Sequence, residues 1–296
     1  MKRWIIFILV VLVGSTLWAG DKIRIVATIP DLGWAAKEIG GDAVEVQSFM
    51  QGNEDPHYLD AVPKFVLWSS KADMVCFAGL DLEIGWLPKV LEQSGNARVQ
   101  PGGNGYCEVG KFIDVLEKID GPVDRSMGDI HPRGNPHFWL SPKRLAQGAR
   151  GIAETLAALR PDKADYFFQN LERFQTKMDA LSKSNQQQLR NAPMFIEYHK
   201  AFVYWANDMG VRSFGAIEEK PGVPPSAGHL AKIALKAKAA HVHVALAASF
   251  NPKSTLDRFS EFSGIPVEIV PACIQKGSSY EAVQKRLIDA VFIGHP

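Results

Sequence analysis

Almost no net charge and very little cysteine mark this chain. Its 33 basic residues face 32 acidic ones, leaving a formal charge of +1 over 296 residues. That balance excludes electrostatic capture of nucleic acid or of an anionic membrane as the main activity, and leaves room for a local cation site. The three cysteines, Cys76, Cys107 and Cys273, have neither zinc-knuckle nor redox spacing. Cys76 lies in the apolar run 72–78 and reads as an inert core thiol. Cys107 and Cys273 are a candidate disulfide in an oxidising compartment. Also missing are a His-Glu-x-x-His helix, a Gly-x-Ser-x-Gly elbow and a Cys/His nucleophile signature, the usual sequence grounds for a hydrolase. No short repeat or low-complexity tract occurs.

Met1-Lys2-Arg3, an apolar run over 4–13 and small residues over 14–20 have the layout of a secretory signal peptide cut near Ala19 or Gly20. The run falls short of the ~20 residues a membrane span needs, so an uncleaved anchor is the weaker reading. With no cysteine near the cut, a soluble periplasmic protein without a membrane anchor is expected, and a monomer.

From residue 23 onward β-branched runs alternate with helical patterns. Strands are expected over 23–29, 44–50 and 73–77, and helices over 32–39, 61–71 and 82–93. Such alternation predicts parallel βαβ units, hence an α/β fold. Glycines 102, 103 and 105 mark a loop. Ser141 as N-cap and Pro142 in the first helical position open a helix over 142–159. Pro161 breaks it, and 163–191 then holds neither Gly nor Pro, with Phe167, Leu171, Phe174, Met178 and Leu181 on one apolar stripe. Against a mean of ~11 to 12 residues that helix is long, and it predicts a connector between lobes. Alternation resumes with strands over 194–198, 211–217, 243–247 and 267–270, and helices over 200–209, 226–240, 252–262 and 278–292. The expected architecture is two lobes, each a mostly parallel sheet flanked by helices, joined by one long rigid helix. Its parts are a signal peptide over 1–20, an N-terminal lobe over 21–160, a linker over 161–191 and a C-terminal lobe over 192–296.

Chemistry concentrates in the histidines. His57 lies in a loop after the second strand, His137 in Asn135-Pro136-His137 before a helix, and His199 at the end of the strand over 194–198. In open parallel sheets the ligand crevice lies at the carboxyl ends of the strands, so the topology can bring the three to one cleft. Three neutral imidazoles suit a borderline metal such as zinc better than magnesium or calcium. A lone histidine in a βα loop is more often a surface residue or a cap; the shared placement and the two Pro-His contexts argue against that here. His241 and His243 flank a strand start, where at least one should pack in the sheet, and His229 falls in a helix.

The combination Asp55-Pro56-His57, Asn135-Pro136-His137-Phe138-Trp139-Leu140-Ser141-Pro142 and His199-Lys200-Ala201-Phe202-Val203-Tyr204-Trp205 resembles the metal-binding solute-binding proteins of bacterial zinc and manganese ABC importers, cluster A-I, zinc type. Pro221-Gly222 through Leu230 and Phe250-Asn251-Pro252-Lys253 extend the resemblance over essentially the whole mature chain. It implies a metal held between two lobes by His57 and His137 from the first and His199 from the second, and handed to a membrane permease. Manganese-type members usually carry a carboxylate where His199 stands, so the resemblance implies Zn2+, with Mn2+ as the alternative.

The chain departs from that family at the usual fourth ligand, an aspartate before the last helix, where it reads Pro271-Ala272-Cys273. An acidic residue expected before Phe250 is replaced by Ala247-Ala248. Water, Glu54, Asp55, Asp60 and Cys273 are the candidates for the fourth position. The family's His-rich tract is reduced to Asp129-Ile130-His131-Pro132-Arg133, where His131 is a candidate for auxiliary metal capture. Two other functions stay open: a metal-dependent hydrolase built on a three-histidine zinc, whose bound water would be acidified, and a metal-binding adhesin or chaperone on the same fold.

Overall fold

Alternating β-branched runs and helices build two parallel sheets. The computed structural model describes residues 22–124 and 127–293. The expected signal peptide over 1–20 and His295 lie outside them. The first sheet is made by β1 (Ile23–Ala27), β2 (Val44–Ser48), β3 (Met74–Phe77) and β4 (Tyr106–Glu108) in the order β2-β1-β3-β4. Its helices are α1 (Pro30–Gly40), α2 (Pro63–Lys71), α3 (Leu87–Ser94) and α4 (Pro142–Leu159). After α5 (Ala164–Gln188) come β5 (Phe195–Glu197), α6 (Val203–Met209), β6 (Ser213–Ala216), α7 (Ala227–Ala239), β7 (Val244–Ala247), α8 (Lys253–Ser263), β8 (Val267–Ile269) and α9 (Tyr280–Val291). The second sheet runs β6-β5-β7-β8, the same permutation as the first, and every strand pairing is parallel. Strands β3 and β7 are buried along their whole length, as strands covered on both faces must be.

Helix α4 begins as its sequence dictates, with the Ser141 hydroxyl accepting from the Arg144 N–H and Pro142 in the first turn. On α5, Phe167, Leu171, Phe174 and Met178 are buried and Leu181 packs at the edge of the same core. The 25-residue α5 lies against α1 and α4 of the first half and α6 and α9 of the second, which makes it the long connecting helix.

Two elements differ from expectation. The helix expected over 82–93 begins at Leu87, because Leu80 and Asp81 take positive φ values of 53° and 70° and the Glu83 carboxylate accepts from the Ala78 and Gly79 N–H groups, turning the chain over the end of β3. Strand β4 is hidden in the sequence by its glycines. A Cβ at Gly105 would stand 2.0 Å from the Asp73 carbonyl oxygen, so glycine there permits the close approach to β3. The candidate Cys107–Cys273 disulfide is not formed: Cys107 lies in register beside Cys76 on β3, whereas Cys273 lies against the buried Asp31 carboxyl, and all three thiols are free and buried. His243 donates its N–H to the Met194 carbonyl at the sheet, while His241 is exposed with φ 55°.

The two halves meet along a seam centred on residues 135–144. The Trp139 indole N–H donates to the Ala272 carbonyl at 2.8 Å, Tyr280 donates its hydroxyl to the Trp139 carbonyl at 2.8 Å, and Tyr204 donates to the Asn135 carbonyl at 2.7 Å. A loop that belongs by sequence to the first half is thus gripped by groups of the second.

Candidate metal centre

His57 and His137 are set by the same local device. In both, an Asx-Pro-His tripeptide folds so that the Asx side-chain oxygen accepts from the histidine's own backbone N–H, a turn whose middle φ proline fixes. Asp55 Oδ1 accepts from the His57 N–H at 3.0 Å and lies 2.8 Å from its Nδ1. Asn135 Oδ1 accepts from the His137 N–H at 2.9 Å and lies 3.0 Å from its Nδ1. The Asn135 amide is oriented by its other end, which donates to the Lys200 carbonyl at 2.8 Å, so Oδ1 faces the ring. His199, beyond the end of β5, has its Nδ1 2.8 Å from Glu218 Oε2 in the loop after β6. A carboxylate or amide oxygen can only accept, so all three rings carry their proton on Nδ1 and present a bare Nε2 lone pair.

Those lone pairs converge. The ring centroids form a nearly equilateral triangle of 5.0, 5.0 and 5.2 Å, and one ligand nitrogen from each ring lies within 4.8 Å of the other two. The space they bound, with Trp139 as a wall, is about 40 Å³, enough for an ion and a water. His57 and His137 are buried, and the Nε2 of His199 is buried without a hydrogen-bond partner. Burial first, and then the neighbouring imidazoles, hold His137 well below the ordinary histidine range, so the ring is neutral at pH 7 as a metal ligand must be. Burial works against the Asp55 carboxylate, but its bond and charge interaction with His57 keep it below the usual carboxylate range.

Of the sequence candidates for a fourth ligand only Asp55 lines the space with the three histidines. Glu54 turns back to accept from the N–H groups of Gln51, Gly52 and Asn53. Asp55 is engaged with His57, Asp60 is exposed, and Cys273 sits with Asp31. His131 lies beside the triad, its Nε2 3.2 Å from that of His57. His229 lies in the first turn of α7, its backbone N–H donating to the Ser226 hydroxyl that caps the helix, and its ring faces Glu219. Reading the sequence missed Glu218, for which the only signal was an acidic residue after an expected strand. It also missed the roles of Asp55 and Asn135, which the repeated Asx-Pro-His tripeptide could have disclosed.

Two α/β halves joined by one long helix, with a ligand site in the seam between them, define a solute-binding protein of the kind that serves ABC importers. The chain belongs to the ZnuA family, described as zinc-uptake complex component A, periplasmic, which matches residues 25–291. It is 26% identical over 292 residues to the manganese ABC transporter substrate-binding lipoprotein PsaA of Streptococcus mitis, covering 93% of this chain and 90% of that protein. It is 26% identical over 297 residues to the iron ABC transporter substrate-binding lipoprotein MtsA of Streptococcus pyogenes serotype M1, covering 95% and 91%. Among solved structures, a zinc-bound deletion mutant of ZnuA superposes with a TM-score of 0.76 at 26% identity, covering 90% of this chain and 96% of that one. Proteins of this family are solute-binding components and not enzymes, which removes the hydrolase alternative. Among the described residues no helix is long and apolar enough to cross a membrane.

Proposed function

We propose that the protein captures a divalent transition metal, zinc in preference to manganese, through His57, His137 and His199, and delivers it to the permease of an ABC importer. The observation that carries this reading is the buried, unpartnered Nε2 of His199, with two further Nε2 atoms facing the same space. A desolvated lone pair left without a partner costs about 1–3 kcal/mol, a cost that a bound cation removes. Imidazole nitrogen suits zinc, whereas manganese favours oxygen donors, and of the carboxylates that line the space Asp55 and Glu218 are spent on Nδ1 atoms. Water takes the fourth position, since Glu54 and Cys273 are engaged elsewhere, Asp60 is exposed, and Asp55, which lines the space, is held by the His57 Nδ1. The protein works outside the cytoplasm as a soluble monomer, with lobes over 21–160 and 192–296 flanking the linker over 161–191.

Calorimetry on chelator-stripped protein tests the reading. One equivalent of zinc is expected to bind more tightly than manganese, and zinc at 1,000 times its Kd should stabilise the fold by about 4 kcal/mol in thermal melts. Tighter manganese binding would overturn the zinc assignment, and no saturable binding of either metal would overturn the site. Glu218→Ala frees the His199 ring to rotate and lose its tautomer, and is expected to weaken zinc binding by about 10–100-fold. An unchanged affinity in that variant would mean that Glu218 does not orient the ligand.

A further inference from the structure

Strand β4 is three residues long and lies at the edge of the first sheet, beside β3. At its centre Cys107 stands in register with Cys76 of β3. Neighbouring strands run about 4.8 Å apart, inside the ~4.4–6.8 Å between Cα atoms that a disulfide spans. Residues in register on parallel strands send their side chains to the same face. Here both thiols enter one apolar core, Cys76 fully buried and Cys107 2% exposed, and the two hydrogen-bond to each other. Cys273 is held apart from them, against the Asp31 carboxyl. Burial first, and then the neighbouring Cys107 thiol, push the Cys76 thiol well above its ordinary range, so the docked sheet keeps it protonated and unreactive. Beyond the register, the flanks of β4 are tied by the Val75 N–H donating to the Gly105 carbonyl at 2.8 Å and the Gly110 N–H to the Ala78 carbonyl at 2.9 Å. A short edge strand held in this way opens locally at far less cost than the whole fold.

We propose that Cys76 and Cys107 are a dithiol that closes to a disulfide outside the cytoplasm and staples β4 to β3. The proposal rests on the reading above that the protein works outside the cytoplasm. The oxidant is an exchangeable disulfide, carried by a thiol oxidoreductase or by oxidised glutathione. While β4 is undocked, during folding or by opening of the edge, one cysteine loses its proton and its sulfur attacks the oxidant disulfide, expelling one of that disulfide's sulfurs. The second cysteine, deprotonated in turn, attacks the mixed bond and expels the other sulfur. Both cysteine thiols are thus oxidised, the oxidant disulfide is reduced to two thiols, and the two protons pass to the departing sulfurs. The bond closes the loop that carries α3 and the turn over 80–86, and leaves Cys273 as the free thiol. It also withdraws two sulfur donors that would compete for zinc on the unfolded chain.

The full chain, expressed in a bacterial host and recovered by osmotic shock, tests the pairing. Alkylation in denaturant without reductant is expected to label Cys273 alone, and proteolysis to yield the Cys76 and Cys107 peptides joined with the loss of two hydrogens in mass spectrometry. Three alkylated cysteines in chain recovered outside the cytoplasm overturn the proposal, and so does a bond that involves Cys273. If the chain is instead retained in the cytoplasm, the purified protein is incubated with oxidised glutathione. Closure of Cys76 with Cys107 there sustains the pair and overturns the location, whereas three free thiols there overturn the pair. The bond should persist in Cys273→Ser, and its loss in that variant would make Cys273 a partner and overturn the assignment. Closure is expected to raise the melting midpoint of the metal-free protein by roughly 5–10 °C over the reduced form. Equal midpoints overturn the staple.

Discussion

Replacing His137 by alanine is expected to weaken zinc binding by more than the ~10–100-fold that follows loss of a hydrogen-bond partner behind a ligand. Of the three rings His137 is the most preorganised: it is 3% exposed, its Nδ1 faces an amide whose orientation is fixed from behind, and its charged form is suppressed by burial. The unmodified protein therefore spends little free energy ordering or deprotonating this ligand when metal binds. Alanine leaves two imidazoles and a space that water fills without supplying a comparable donor. Competition calorimetry against a chelator of known affinity reads the loss, and a change smaller than tenfold would exclude His137 as a ligand. The metal-free melting temperature should move far less than the affinity, because the seam around residues 139–144 is held by groups other than the His137 ring.

The sequence carried the architecture well where local signals and tertiary demands agree. Ser141, Pro142 and the stripe from Phe167 to Met178 set α4 and the buried face of α5, because caps and helical periodicity are short-range. It carried less where long-range approach decides. Strand β4 forms because Gly105 lets the chain come up against Asp73, and residues 80–86 turn because Glu83 folds back on Ala78 and Gly79. At the site, the convergence of the three histidines was legible from their loops alone, since a βα topology sends such loops to one edge of a sheet. Their orienting partners could not all be found that way. Asp55 and Asn135 are two residues from their rings, within reach of a local rule, whereas Glu218 is 19 residues from His199 and meets it through the pairing of β5 with β6. The same reasoning explains Cys273. As a soft donor it fits the missing ligand, but the loop that carries it is docked on α1 through the Ile274 N–H to Asp31, at 2.9 Å, which directs the thiol into the seam.

Asp208→Ala is expected to destabilise the metal-free protein by about 3 kcal/mol, the low end of the cost of breaking a buried pair, because Arg144 keeps the exposed Asp114 carboxylate at 3.2 Å. Arg144 on α4 and Asp208 on α6 form a two-point pair, with Nε to Oδ2 at 2.8 Å and Nη2 to Oδ1 at 3.0 Å, and the Ser141 hydroxyl donates to the same carboxylate at 2.7 Å. Their side chains are 6% and 1% exposed, so solvent does not screen the loss. Denaturant unfolding measures the effect, and a change below about 1 kcal/mol would show that water reaches the pair after all. Pairing Asp208→Leu with Arg144→Met should recover most of the stability, because a well-packed apolar pair carries no desolvation cost. Zinc affinity is expected to behave differently. Ser141 is four residues from His137, and α6 begins four residues after His199, so the ion pair also fixes the spacing of the two ligand loops. The apolar pair restores packing without restoring that register. Zinc binding should therefore stay weakened in the double variant, and full recovery of affinity would place the control of ligand spacing in the Trp139, Tyr204 and Tyr280 hydrogen bonds instead.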